Sequence, residues 1–398
     1  MLRAPQAADW GAVRRAIVVC HSEPGAWSAP RPLYETAPCP PLPLGEAVYV
    51  VARAMFEASG LSAEHVQRCN RMDAVWVPTE FHKQTFAAAG VDPAKLRVVP
   101  EPVDGSDFDP ARHAALPLPL GTRVFGPRRR HARPGDGVEQ EQQRQAEARQ
   151  QQREQQQNLF VFLSAFKWET RKGWDVLLRA YLQTFTADDD VLLLLHTKPF
   201  HSDSNFAQQM QDWARRELPA AMAAPERLPS VYVLDTHLPQ RDYPRLYASA
   251  DAFVLPTRGE GWGLPVVEAM SMALPVLVTN YSGPTAYLDE TVGYPLRWQL
   301  AQVPPGTGAF SGLHWAEPSL EHLSQLMRHV VAHPEEAAAR GAAARQRMLQ
   351  RYSLAAVADV VAGELRRIEV ALAEGGTWRQ EQQSTDGDGK SGGEHVEL

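Results

Sequence analysis

Cysteine is scarce in this chain, three in 398 residues with no CxxC pair. That excludes a disulfide framework or a four-cysteine zinc site and creates the expectation of a reducing, cytoplasmic setting. Cys20 and His21 are adjacent, which is not a metal-ligand spacing, so no metal is expected. No apolar run approaches the roughly 20 residues that a bilayer span needs, and the longest, at 191–195, is strand-length. Residues 1–10 lack the apolar centre of a secretory signal. No G-x-G-x-x-G follows a strand candidate and no Walker loop occurs, which disfavours a dinucleotide oxidoreductase or a P-loop enzyme. A net charge of −7 argues against general binding to nucleic acid or anionic membranes. What is present is 44% hydrophobic residues on a chain long enough for two domains.

Two tracts have little that could be buried. Residues 139–157 read EQEQQRQAEARQQQREQQQ, and with the preceding PRRRHARPGDG they suggest a solvated insertion or linker over 126–157. The stretch 375–398, rich in Gly, Gln and Asp, reads as a disordered tail. Between them, strand candidates at 159–165, 191–196, 231–234, 252–255 and 275–278 alternate with helical patterns. Trp174, Leu177, Leu178, Tyr181, Leu182 and Phe185 form one apolar helix face. Strands alternating with helices predict α/β architecture with a doubly wound parallel sheet, whose ligands bind beyond the carboxyl ends of the strands.

The stretch PTRGEGWGLPVVEAM at 256–270 falls at that edge. Gly259, Gly261 and Gly263 allow a sharp turn and close approach to another group. Pro265 suits the opening turn of a helix, where its missing N–H costs nothing. Strand, glycine loop and helix N-terminus make an anion site. Within it, Glu260 and Glu268 suit a ligand carrying phosphates between two sugars. SAFKWETRKGW supplies Lys167, Arg171 and Lys172 after the preceding strand, with Lys172 and the next helix N-terminus able to share a phosphate. The first half offers strands at 16–20, 48–51, 74–77 and 96–99, with helices near 62–71 and 79–89. His21, ending the first of these strands, reads equally as a cleft residue or a structural one. Arg53 and Glu57 have the spacing of an intrahelical ion pair.

GEGWGLPVVEAM, with LYASADAFVLPTR before it and LPVLVTNYSGPTAYL after it, resembles the group 1 (family four) glycosyltransferases of the GT-B fold and their E-x7-E motif. MDAVWVPTEFHKQTFAAAGVDPAKLRVVPEPVD is similar to the end of that family's first domain, and AFKWETRKGWDVLL to the start of its second. The resemblance implies two Rossmann-like domains with parallel sheets. These are a partial acceptor-side domain at 1–125 and a nucleotide-sugar domain at 158–353, followed by a C-terminal helix at 354–374. The first domain is expected to be incomplete, because the family's opening strand and glycine-rich loop have no counterpart before AIVVCHSEP. By position, the resemblance implies that Glu260 faces the donor sugar and Glu268 holds the ribose. Lys167, Arg171 and Lys172 would serve the diphosphate, and Gly261, Trp262, Gly263 and Leu264 would bind the donor. His21 resembles a first-domain histidine of the sugar pocket. Ala273 stands where the family usually has glycine, at a cost of about 1 kcal/mol if the backbone there needs φ > 0.

The activity so implied is retaining, metal-independent transfer of hexosyltransferase type. A nucleotide sugar is the donor substrate, with no further cofactor, and the acceptor is an unidentified glycan, lipid or protein. A nucleotide-sugar-binding remnant of the family that cannot turn over is the alternative.

Overall fold

Short runs of β-branched and large apolar side chains build two parallel sheets in a computed structural model that describes residues 16–21, 24, 39, 48–127, 159–199 and 204–373. The expected tail at 375–398 and nearly all of the 126–157 tract lie outside the described residues.

The first sheet has the order β1-β2-β3-β4, all parallel, from Ala16–His21, Val48–Arg53, Ala74–Val77 and Leu96–Val98. Side chains alternate between its faces with period two. Val50, Ala52, Val75 and Val77 face a cluster with Cys69 and Phe86 from the helices Ala63–Asn70 and Glu80–Ala89. Both helices begin on a hydroxyl cap, Ser62 or Thr79. Tyr49, Val51, Ala74 and Trp76 face the other way, onto Ile368 of the last helix, Leu354–Ala373. That helix therefore belongs to the second domain by sequence and packs on the first.

The second sheet runs β11-β10-β9-β6-β7-β8-β5. Its strands are β5 (Thr122–Phe125), β6 (Phe160–Trp168), β7 (Val191–Pro199), β8 (Ser230–Leu234), β9 (Ala252–Leu255), β10 (Val276–Thr279) and β11 (Tyr294–Leu296). All neighbours are parallel except β5, which pairs antiparallel with β8 through a bulge. The chain goes outward from β6 through β7 to β8, then returns to place β9 on the other side of β6. The order thus reverses between β6 and β9, which opens a crevice beyond their carboxyl ends. An antiparallel hairpin, β12 (Trp298–Gln302) with β13 (His314–Pro318), stands apart from both sheets.

Three expectations need correction. Val103, Phe108 and Leu118 pack in the second domain's core and β5 joins its sheet, so the first domain ends near residue 100 rather than 125. The reason is a partner, β8, more than a hundred residues away. Arg53 and Glu57 do not share a helix: Arg53 ends β2 and pairs with Glu101 at 2.9 Å, while Glu57 lies in the following loop. Cys20 and Cys39 form a disulfide with Cα atoms 5.7 Å apart, which overturns the expectation that cysteine is used only reduced.

The chain crosses between domains twice, and the crossings touch. Val103 donates its N–H to the Tyr352 carbonyl at 2.8 Å and bridges to Ser353.

Candidate active site

The topological crevice brings together the loop after β6 and the loop after β9. The first contains a 3-10 turn, Thr170–Lys172, that ends on Gly173 at φ 67°. A Cβ there would lie 1.9 Å from the Pro256 carbonyl oxygen, so only glycine lets the two loops close to this distance. The helix Trp174–Thr184 follows, with Lys172 in the turn before it.

The second loop delivers Glu260, which is 4% exposed. Lys172 Nζ lies 2.8 Å from both its oxygens, and the Thr257 hydroxyl donates to Oε1 at 2.9 Å. Burial pushes this carboxyl up, but Lys172 and Arg171 outweigh it and hold the group below the usual glutamate range, ionised at neutral pH. Its backbone is pinned as well. The Glu260 N–H donates to Ser282 Oγ at 2.8 Å, and its carbonyl accepts from the Gly283 N–H at 2.9 Å. Ser282 makes this contact from φ 57°, ψ −129°, a region that L residues rarely enter, so strain is stored beside Glu260.

The helix Leu264–Ser271 then begins on Gly263 at φ 91°, with Pro265 in its first turn. Its leading N–H groups have no intrahelical acceptor, and its positive end faces the same crevice. Glu268 lies a turn inside this helix. Its Oε2 accepts from the Tyr247 hydroxyl at 2.7 Å, and burial, only partly offset by that hydrogen bond, raises its pKa to about 7. Nearby, the ends of β7 and β8 enclose a cavity of about 480 Å³ lined by His196, Thr197, Asp235, His237 and Tyr243. The Tyr243 hydroxyl is 3.2 Å from His196 Nε2, and Tyr243 is close enough to Glu268 for that carboxylate to raise its pKa further after burial.

The remaining sequence candidates occupy different surroundings. Lys167 is exposed near the end of β6, in register with Lys198. Arg171, expected beside the diphosphate lysines, is half-buried and its guanidinium meets protein partners. It donates to the Gly259 carbonyl at 2.5 Å and pairs with Glu169 at 2.9 Å and Glu57 at 3.3 Å. The Trp262 indole is buried edge-on to Tyr287 and Tyr352, so this residue can meet a ligand only through its backbone. Gly261 is buried, while Leu264 is exposed at the helix start. His21 ends β1, exposed and in register with Arg53.

One residue that sequence reasoning missed is Arg258. Only 6% exposed, it binds Asp175 through two hydrogen bonds of 2.9 Å and Glu317 through two of 2.7 and 2.9 Å, and donates to the Thr170 carbonyl. A lone arginine within PTRGEGWG gives no hint of partners 83 residues before and 59 after it.

The glycines also answer to the first domain. A Cβ on Gly259 would lie 2.2 Å from the Glu57 carbonyl oxygen, and one on Gly261 would lie 2.2 Å from Met55 Sδ. The loop after β2 therefore rests directly on the glycine loop.

Residues 157–299 match the family model described as glycosyl transferases group 1. Over 57 residues the chain is 46% identical to O-antigen chain mannosyltransferase B of Escherichia coli, a match spanning 14% of each chain. The solved structure of Alr3699/HepE from Anabaena in complex with UDP and glucose aligns with 80% of this chain and 72% of its own, at TM-score 0.53 and 15% identity. Sucrose-phosphate synthase from Thermosynechococcus elongatus aligns with 82% of this chain and 69% of its own, at TM-score 0.54 and 16% identity. At such identities the structural likeness speaks for the fold. No helix among the described residues is long and apolar enough to cross a membrane. Residues 157–299 of this chain are thus similar to the group 1 glycosyltransferases, and the chain folds as a GT-B protein.

Proposed function

We propose that the chain is a retaining glycosyltransferase of hexosyltransferase type, using a nucleotide-sugar donor and an acceptor whose chemistry the site does not specify. The observation that carries this reading is the Lys172–Glu260–Thr257 cluster at the N-terminus of the helix Leu264–Ser271, with Glu268 one turn further in. A diphosphate at that N-terminus would meet the helix dipole and Lys172, with Lys167 on the same strand edge. Glu268 would then reach the ribose hydroxyls and the adjacent cavity would hold the base. Since the Anabaena structure contains UDP, uridine diphosphate sugars are the first donors to test.

In this reading the lysines and the helix N-terminus neutralise the leaving diphosphate, which removes the need for a metal at that point. Lys172 now grips both oxygens of Glu260, so an arriving diphosphate competes for the ammonium and frees the carboxylate for a sugar hydroxyl. Glu260 is not assigned as a covalent nucleophile. Retention follows from attack on the leaving-group face through an oxocarbenium-like state.

The test is calorimetry and transfer assays of the full chain against a panel of nucleotide sugars. Glu260→Gln should lower kcat and leave donor affinity nearly intact, whereas Glu268→Gln should chiefly raise KM. Equal effects on both parameters in both variants would undo this division. Donor binding without any transfer would favour a nucleotide-sugar-binding protein that does not turn over.

A further inference from the structure

The hairpin β12–β13 begins at Trp298, just as the family match ends at residue 299, and touches both domains. On the first domain, the Ser59 N–H donates to the His314 carbonyl at 2.9 Å and the His314 N–H donates to Ser59 Oγ at 3.1 Å. Phe310, in the hairpin connection, stacks on Phe56 with centroids 4.8 Å apart, and Leu313 packs in the same first-domain cluster. On the second domain, Glu317 pairs with Arg258, and the Ala316 N–H donates to the Arg258 carbonyl at 3.0 Å. Arg258 stands two residues before Glu260. A line of bonds therefore runs from the loop after β2, through the hairpin, to the loop that carries the site's buried acid.

We propose that this hairpin is an interdomain clasp. It holds residues 54–59 down on the glycine loop and, through Arg258, keeps Glu260 in position within the closed cleft. Three features make a clasp of it rather than a surface ornament. Its two ends bind different domains. Its grip on the first domain is made of two backbone-involving hydrogen bonds and an aromatic stack, which can part and re-form as a unit. Its grip on the second is a buried arginine with two carboxylate partners, which is the firmer of the two. When the domains separate, the Ser59 and Phe310 contacts should release first, while the Arg258 end stays with Glu260. Arg258 and Glu317 are thus positioning residues for Glu260, and Phe310 and Ser59 set how long the cleft stays shut. Closure by this hairpin is independent of whether the chain transfers sugar.

Hydrogen–deuterium exchange on the full chain tests it, with a Phe310→Ala/Ser59→Ala double variant and, separately, Glu317→Gln. In the double variant, amides at 54–59 and 257–263 should exchange at least tenfold faster, with those of β6, β7 and β9 unchanged. Glu317→Gln should loosen the same two loops. Spin labels at the exposed positions 80 and 325, one per domain, should give a longer and broader distance distribution in the double variant. Unchanged protection at 54–59 or an unchanged distance distribution would overturn the clasp. So would acceleration spread over the whole chain, or loosening of 257–263 alone in Glu317→Gln. If the clasp is right and the proposed activity wrong, the loops still loosen but UDP fails to restore their protection.

Discussion

Ala273 holds a left-handed backbone, φ 60°, in the turn between the helix Leu264–Ser271 and β10, at a position where the resemblance led us to expect glycine. The conformation costs a residue with a Cβ roughly 1–2 kcal/mol, and a glycine gives part of that back through its freer unfolded state. Ala273→Gly should therefore stabilise the second domain by about 0.5–1 kcal/mol, readable as a higher urea midpoint with an unchanged slope. The opposite exchange nearby should fail. A Cβ on Gly341 would lie 2.1 Å from the Ala273 carbonyl, and the Gly341 backbone is held within the helix Pro334–Arg351.

Glu268 gives the residue-level pH dependence. Its folded pKa, about 7, is above the ordinary 4.5, so the folded state binds the proton more tightly than the unfolded state. The associated stability is present below about 4.5 and is lost as the pH rises through 7, by at most about 3 kcal/mol. Ribose hydroxyls donate best to the ionised carboxylate. Affinity for UDP should then rise severalfold between pH 6 and 8, and calorimetry on Glu268→Gln should show that rise flattened. A flat profile in the parent chain would remove Glu268 from the ribose.

Among the elements, the glycine loop separates two kinds of crowding. A methyl group on Gly259 meets a backbone carbonyl, which cannot yield, whereas one on Gly261 meets the sulfur of a methionine, which can swing aside. Gly259→Ala should thus cost about 1–3 kcal/mol of domain closure and Gly261→Ala less than about 1 kcal/mol. Faster exchange at residues 54–59 in the first variant only would be the signature. The apolar runs that became β6, β7, β9 and β10 were legible because a strand buried on both faces leaves a continuous hydrophobic record. So was the site's loop, whose glycines, proline and acids are local. The strand β5 was not, since TRVF gains its identity only from pairing with β8. Nor was the hairpin read, although WQLAQ and HWAEP flank a cluster of Pro and Gly that signals a turn. Arg258 and Ser282 escaped for one reason: their partners lie far along the chain. The Arg53–Glu57 spacing misled because a four-residue interval fits a helix equally well when a strand ends inside it.

For the whole molecule, the last helix governs the first domain. Removing residues 353–398 would uncover Tyr49, Val51, Trp76 and Val99, because Ile368, which packs against them, goes with the helix. The truncated chain should keep a second domain that still binds nucleotide while the first loses exchange protection and associates through its bared sheet. Equal protection of β2 and β3 in both chains would show that the helix is dispensable.

The same arrangement sets an order of events during synthesis. The first sheet emerges early, with its two connecting helices already able to cover one face. Its other face waits for Ile368, made more than 300 residues after Tyr49. The domain that leaves the ribosome first is consequently the one finished last. Until Ile368 is made that face has no cover, so an early stop codon falls on the first domain rather than on the one being translated.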